Sequence, residues 1–190
     1  VPLQDDGAAY RLDLPGIDAA LAAGARAVLL CNPHNPLGLV HPREELTELA
    51  EIVERHGAHV VSDEIHAPLT HRGATFTPYL SVSDAARRHG VAAASGSKAF
   101  NLAGLKAAMF VVDSEPMAQW LATVPDAVSY RTGIMGLLAT QEGFRHATDW
   151  LDATIEVIES NIALLERQLA DKLPQVRFRR GSATYLAWLD

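Results

Sequence analysis

Cationic side chains are scarce in this 190-residue sequence. Sixteen Lys and Arg face 23 Asp and Glu, for a net charge of −7 and a pI near 5.6. That balance argues against a surface built for nucleic acid or an anionic membrane. Cysteine is scarcer still: Cys31 stands alone, which excludes an internal disulfide and suits a reducing compartment, the cytoplasm. No apolar run approaches the ~20 residues needed to span a bilayer. The opening Val1-Pro2-Leu3-Gln4-Asp5-Asp6 is no signal peptide. An initiator methionine is also missing, so the chain is expected to be processed, excised or otherwise incomplete. What is present is ordinary for a globular protein, 48% hydrophobic and 21% charged residues, enough for one core and part of a second domain.

The periodicities predict an α/β chain. Residues 1–14 read as a loop or edge segment. Pro15 to Ala23 reads as a short helix, with Pro15 near its first turn and Gly24 as its stop. Ala27-Val28-Leu29-Leu30-Cys31 is a continuous apolar run, the pattern of a strand buried on both faces. A turn-rich stretch, Asn32-Pro33-His34-Asn35-Pro36-Leu37-Gly38, follows it. Pro42 to His56 is the clearest helix, with Leu46, Leu49, Ile52 and Val53 on one stripe. His59 to Ser62 is the next strand and runs into Asp63-Glu64-Ile65-His66. Strand, helix and strand in about 35 residues make a βαβ unit with parallel strands. After a loop over 67–80 the pattern predicts a helix at Val82 to His89, then strands at Val91 to Ala94 and Ala107 to Val112. Further helices are predicted at Ser114 to Thr123, with Ser114 as N-cap, and at Thr132 to Arg145. A long amphipathic helix over 148–173 carries Leu151, Ile155, Ile158, Ile162, Leu165, Leu169 and Leu173. Val176 to Arg179 and Thr184 to Leu189 read as strands of a separate, unfinished unit.

Three polar residues each fall just past the end of an apolar strand: Asn35, Asp63 and Lys98. In an open parallel sheet those ends form the crevice where ligands bind. Lys98 sits in Ser95-Gly96-Ser97-Lys98, after Val91-Ala92-Ala93-Ala94. Desolvation there favours the free amine, which can form a Schiff base with an aldehyde. An aspartate beside a pyridine nitrogen keeps it protonated and makes the ring an electron sink, and an asparagine amide can donate to a phenolic oxygen. Pyridoxal 5'-phosphate asks for that set. Ser95-Gly96-Ser97-Lys98 also fits the S-x-x-K of acyl-enzyme serines, but neither K-T-G nor S-x-N accompanies it. The remaining histidines (34, 41, 56, 59, 71, 89 and 146) lack metal-site spacing and read as surface or loop residues; no metal is expected.

Asn35-Pro36-Leu37-Gly38, Asp63-Glu64-Ile65-His66 and Ser95-Gly96-Ser97-Lys98 together resemble the fold-type I pyridoxal phosphate enzymes, aminotransferase classes I and II. Cys31-Asn32-Pro33-His34-Asn35-Pro36, Lys98-Ala99-Phe100-Asn101-Leu102-Ala103-Gly104-Leu105 and Thr184-Tyr185-Leu186-Ala187-Trp188-Leu189-Asp190 look most like the carbon–sulfur lyase branch, the cystathionine β-lyases. The resemblance covers nearly the whole chain. It implies a three-layer α/β sandwich with a mainly parallel sheet. Residues 1–147 would form most of a large cofactor domain, and 148–190 a linking helix and the start of a small α/β domain. It also implies that Lys98 is the Schiff-base lysine, Asp63 the partner of the ring nitrogen and Asn35 a donor to the phenolic oxygen. Ser95 and Ser97 would belong to the phosphate cup. His66 would stand where aminotransferases carry a tyrosine, and Lys106 in the place of a phosphate-binding arginine, without its bidentate fork. The implied activity is β-elimination from cysteine S-conjugates or cystathionine in a cytoplasmic homodimer with shared active sites. Family members extend further at both ends, so the chain looks like an internal fragment. An aminotransferase on the same scaffold, or a regulatory domain that binds the cofactor without turnover, remain alternatives.

Overall fold

The computed structural model describes residues 1–190. The chain opens with two short antiparallel strands, β1 (Gln4–Asp5) and β2 (Tyr10–Arg11). Helix α1 (Leu14–Ala22) follows, with Asp13 at its N-cap accepting from the Gly16 amide at 3.1 Å and Gly24 beyond its end at φ 108°. Then come β3 (Ala27–Cys31), α2 (Arg43–Arg55), β4 (His59–Asp63), α3 (Asp84–His89), β5 (Gly90–Ala94) and β6 (Met109–Val111). Four more helices complete the order: α4 (Glu115–Leu121), α5 (Asp126–Ser129), α6 (Ile134–His146) and α7 (Thr148–Lys172).

The sheet runs β3-β4-β5-β6; the first three strands are parallel and β6 is antiparallel to β5. This is the mainly parallel α/β architecture that the alternation of strands and helices predicts. The βαβ unit of β3, α2 and β4 is present as expected, with Cys31 level with Asp63. Helices α1, α2 and α3 seal one face. Leu14, Ile17, Leu21, Leu46, Leu49, Val53 and Ala86 pack there against Leu30 and Val60 of the strands. Each such leucine or valine contributes roughly 1.5–3 kcal/mol by leaving water.

The opposite face departs from expectation. The apolar run of β3 predicts burial on both sides, yet Leu29 is 80% exposed while its neighbour Leu30 is 3% exposed. Alternation along a strand sends the two side chains to opposite faces, and α1–α3 cover only one of them. On the second face Trp120 of α4 stacks on His59, with ring centroids 5.5 Å apart, but Met109, Phe110 and Val111 of β6 stay exposed. Helix α6 likewise leaves Ile134, Met135, Leu137 and Leu138 in solvent.

Other differences are local. Ser114 occupies the N-cap position of α4, but its hydroxyl makes no cap bond and reaches the Arg88 carbonyl at 3.5 Å instead. Three histidines read as surface or loop residues are buried. His41 bridges the Glu45 carboxylate (2.9 Å) and the Cys31 carbonyl (3.2 Å), His71 reaches the Thr184 carbonyl, and His89 meets the Tyr79 hydroxyl. Each earns burial because a specific polar partner compensates its desolvation. Past α7 the chain makes no ladder of its own beyond a single bridge, Phe178 to Leu189. Residues 181–184 pair instead with Gly38, Leu69, Thr70 and His71.

Candidate active site

The three strand ends deliver their loops to one edge of the sheet. After β3, the His34 amide donates to the Leu39 carbonyl (2.8 Å) and the Gly38 amide to the His34 carbonyl (2.7 Å), closing a tight loop around Asn35. The Asn35 amide N–H is held by Cys31 Sγ at 3.2 Å. Gly38 has φ 62°, and a Cβ there would lie 2.5 Å from the Ala183 carbonyl oxygen, so only glycine fits. After β4, Asp63 Oδ1 accepts from the Ile65 amide at 3.2 Å and its second oxygen is uncommitted. Glu64, next in sequence, turns into the core, where Oε1 accepts from Ser62 Oγ (2.9 Å) and the Tyr79 amide (2.8 Å). Burial pushes its carboxyl above the ordinary value.

The lysine loop is a single helical turn: the Phe100 amide donates to the Gly96 carbonyl at 2.9 Å and Leu102 to Ser97 at 3.0 Å. Phe100 anchors it, edge-on to Phe144 of α6 with centroids 5.2 Å apart. A Cβ on Gly143 would come within 2.7 Å of that ring, so α6 carries glycine where the loop docks. Ser95 donates its hydroxyl proton to the Ala107 carbonyl (2.6 Å) and accepts from the Ser97 amide (3.0 Å). These bonds commit the Ser95 hydroxyl proton and brace the loop, while the Ser95 backbone amide makes no hydrogen bond within the protein. The Ser97 hydroxyl and the partly buried Lys98 amine make no side-chain hydrogen bond or ion pair. Lys106 closes the short 3-10 turn Ala103–Leu105 in the left-handed region, φ 53°, with its side chain exposed.

Asn35, Asp63, His66 and Lys98 are brought together around one imidazole. His66 is 3% exposed and its Nε2 lies 3.3 Å from Asn35 Nδ2. Burial and then the Lys98 charge hold the imidazole below its usual pKa, while Asp63 pulls the other way. A neutral ring accepts the Asn35 N–H at Nε2 and keeps its proton on Nδ1, an assignment that follows from the hydrogen-bond pattern. His66 Nδ1 is buried without a partner, which marks a donor left for something else. With the unpartnered Lys98 side chain, the open Asp63 oxygen and the Ser97 hydroxyl, these are the groups a phosphorylated pyridine aldehyde requires, so the residues fit that cofactor.

One neighbour of the site was not among the residues expected there. Tyr185 lies against His66 with ring centroids 5.8 Å apart at 56°. The residue before it, Thr184, is fully buried at φ 69°, a conformation that costs a β-branched residue about 1–3 kcal/mol. The only hint in the sequence was the Thr184-Tyr185-Leu186-Ala187-Trp188 wording; nothing local places its ring beside His66.

Comparison with known proteins bears on the family and the fold. A Mycobacterium leprae protein named "Putative cystathionine beta-lyase" is 44% identical over 197 residues, covering 100% of this chain and 48% of the relative. Cystathionine beta-lyase PatB of Bacillus subtilis is 36% identical over 196 residues, covering 100% of this chain and 49% of its own. The crystal structure of the PLP-bound C-S lyase from Staphylococcus hominis superposes with a TM-score of 0.87 at 28% identity, over 100% of this chain and 48% of that one. The chain thus spans about half the length of the curated relatives it matches. The aminotransferase class I and II family matches residues 1–190 in full, and the chain belongs to that family.

Proposed function

We propose that this chain carries the central part of the active site of a pyridoxal-phosphate-dependent carbon–sulfur β-lyase acting on cysteine S-conjugates or cystathionine. The observation that carries the reading is the neutral, buried His66 bonded to Asn35 beside an unpaired Lys98. The lyase names of the relatives favour elimination over transamination on this scaffold. Bound pyridoxal phosphate would supply an aldehyde to hold the amino acid and a ring that withdraws electrons from Cα.

The residues then divide the work. Lys98 anchors the cofactor through Nζ and, once the substrate amine takes its place, receives the Cα proton as general base. Asp63 holds a proton on the ring nitrogen, which lowers the energy of the charge developing at Cα. His66 Nδ1 and the Asn35 amide are the donors for the phenolic oxygen. Ser95, Ser97, the loop amides and the Lys106 ammonium would hold the phosphate. The proton that Lys98 takes from Cα would pass to the sulfur leaving Cβ, and hydrolysis of the released enamine would give pyruvate and ammonia. On the same reading residues 1–147 belong to the large cofactor domain and 148–190 to the linking helix and the start of the small one. The protein works as a cytoplasmic homodimer whose second subunit helps complete the site.

The test is an assay of the complete protein with cystathionine, scoring pyruvate and free thiol without added oxo acid. Strict dependence on a second oxo acid would make it an aminotransferase, and bound cofactor without any turnover a regulatory domain. Asp63→Asn should retain most of the fold and lower turnover by roughly 10²–10⁴-fold, the scale on which a positioned proton or charge acts. Near-wild-type turnover in that variant would remove Asp63 from the ring nitrogen.

A further inference from the structure

The loops bearing Asn35 and His66 leave different strands, yet both are fastened to the same few residues near the end of the chain. On one side the Ser182 amide donates to the Gly38 carbonyl at 2.7 Å. A Cβ on Gly181 would lie 2.6 Å from the Leu37 carbonyl oxygen, so the approach is close enough to demand glycine. On the other side the His71 amide donates to the Ser182 carbonyl (2.9 Å), and the Thr184 amide to the Leu69 carbonyl (2.9 Å). His71 Nε2 donates to the Thr184 carbonyl at 2.7 Å, and Thr70 bridges Ala183. Leu69 to His71 lie three to five residues beyond His66, and Gly38 three beyond Asn35.

The same segment delivers an aromatic ring. Thr184, held at φ 69°, caps the turn with Oγ1 accepting from the Leu186 amide at 3.1 Å. A β-branched residue is unusual in that region and persists where its surroundings over-determine it. Here two backbone bonds and one side-chain bond do so. The turn lays Tyr185 on His66, and the Tyr185 hydroxyl makes no hydrogen bond to the protein. Tyr185 is 47% exposed, so its ring is not there to fill the core.

We propose that residues 181–185 clamp the two site loops together, and that Tyr185 is a positioning residue that fixes the His66 ring against Asn35. What that pair does for the reaction rests on the lyase reading above; the clamp itself does not. Four groups bear on the imidazole: Asn35 by hydrogen bond, Lys98 and Asp63 by charge, and Tyr185 by ring contact. Removal of the Tyr185 ring leaves the Lys98 and Asp63 charges in place, lets the His66 ring leave Asn35 and admits water to it, so its protonation should move up toward the ordinary imidazole range.

The experiment follows the His66 ring by NMR through a pH titration of the complete protein with labelled histidine, for wild type, Tyr185→Phe, Tyr185→Ala and Gly181→Ala. Tyr185→Phe keeps the ring and should titrate as wild type. Tyr185→Ala should titrate at higher pH and lose the single Nδ1–H tautomer. Gly181→Ala, which must push the segment off the Leu37 carbonyl, should show the same change in weaker form. In lyase assays Tyr185→Ala should lose roughly 10–100-fold in kcat with KM altered by less than about threefold, as for a group that aims another. An unchanged His66 titration and tautomer in Tyr185→Ala overturns the proposal whatever the activity. A shifted titration in a protein without lyase activity sustains the clamp and removes the lyase reading.

Discussion

Leu29 and Leu30 are neighbours of the same type in β3, and the fold treats them in opposite ways. Leu30 points into the cluster made by α1, α2 and α3; Leu29 points to the other face and stands 80% exposed. Asp63 shares the side of Leu29, because Leu29 is level with Val61 and Cys31 with Asp63 in the parallel register. The sealed face supplies the stability that holds the strands in order, and the candidate chemistry sits at the end of the unsealed one. A site needs a floor and an opening, and this sheet divides those tasks between its faces.

The sharpest break of that division is Lys98→Ala. If the chemistry lies at the open edge, this variant of the complete protein should lose the visible absorbance of covalently held cofactor and drop turnover by roughly 10³-fold or more. Compared with cofactor-free wild type, its thermal unfolding should barely move, because the Lys98 amine makes no bond within the protein. Visible absorbance that persists in the variant, and that borohydride bleaches while leaving the cofactor covalently attached, would place the anchor elsewhere.

Next come the two leucines themselves. Leu30→Ala in this 190-residue chain should cost about 2–5 kcal/mol in urea unfolding, the range for a buried leucine that leaves a cavity. Leu29→Ala should stay within about 0.5 kcal/mol, as exposed substitutions do. A large loss for Leu29→Ala would mean that a second copy or another chain covers the face in solution.

These contrasts mark how far the sequence could be read. The parallel strands, α2 and the convergence of Asn35, Asp63 and Lys98 were legible, because apolar runs, turn residues and helix caps are local signals. Burial of the second face of β3 was inferred from the same apolar run and is not seen, because composition says that a face wants cover, not that this chain supplies it. His41, His71 and His89 were misread for a related reason: a histidine's burial depends on a partner such as Glu45, Thr184 or Tyr79, which only the fold brings near. The docking of 181–184 on Gly38 and Leu69 joins residues more than a hundred positions apart and leaves no periodic trace.

Protonation separates the faces more finely. His89 lies behind β5 against Tyr79, and burial lowers its pKa to about 4. The unfolded chain binds that proton near pH 6.5, the folded chain only near 4, so between them the unfolded state holds more protons and stability falls as pH drops. Over that window the loss is on the order of 2–3 kcal/mol. His34 and His66, also lowered by burial, act in the same direction. Glu64 runs the other way: its raised pKa favours folding as pH falls from its folded value toward the ordinary carboxyl range. His89→Gln should therefore flatten the decline in unfolding free energy between pH 6.5 and 4, measured by urea titration at a series of pH values. An undiminished decline would assign it to His34 and His66, on the site side.

The smallest expected effect compares two serines that look alike in sequence. Ser83 and Ser114 each precede a helix with an acidic residue at its first position, Asp84 and Glu115. Ser83 Oγ accepts from the Ala86 amide at 3.1 Å, satisfying one of the free donors at the start of α3 on the sealed side. Ser114 starts α4, whose Trp120 reaches the second face, and its hydroxyl turns to the Arg88 carbonyl at 3.5 Å instead. That distance is at the limit of a hydrogen bond, so little is lost with it. Ser83→Ala should cost about 1 kcal/mol and Ser114→Ala within about 0.5 kcal/mol in the same urea experiment. Equal losses would show that Ser114 caps α4 in solution, and that the helix on the open side is held as firmly as the one on the sealed side.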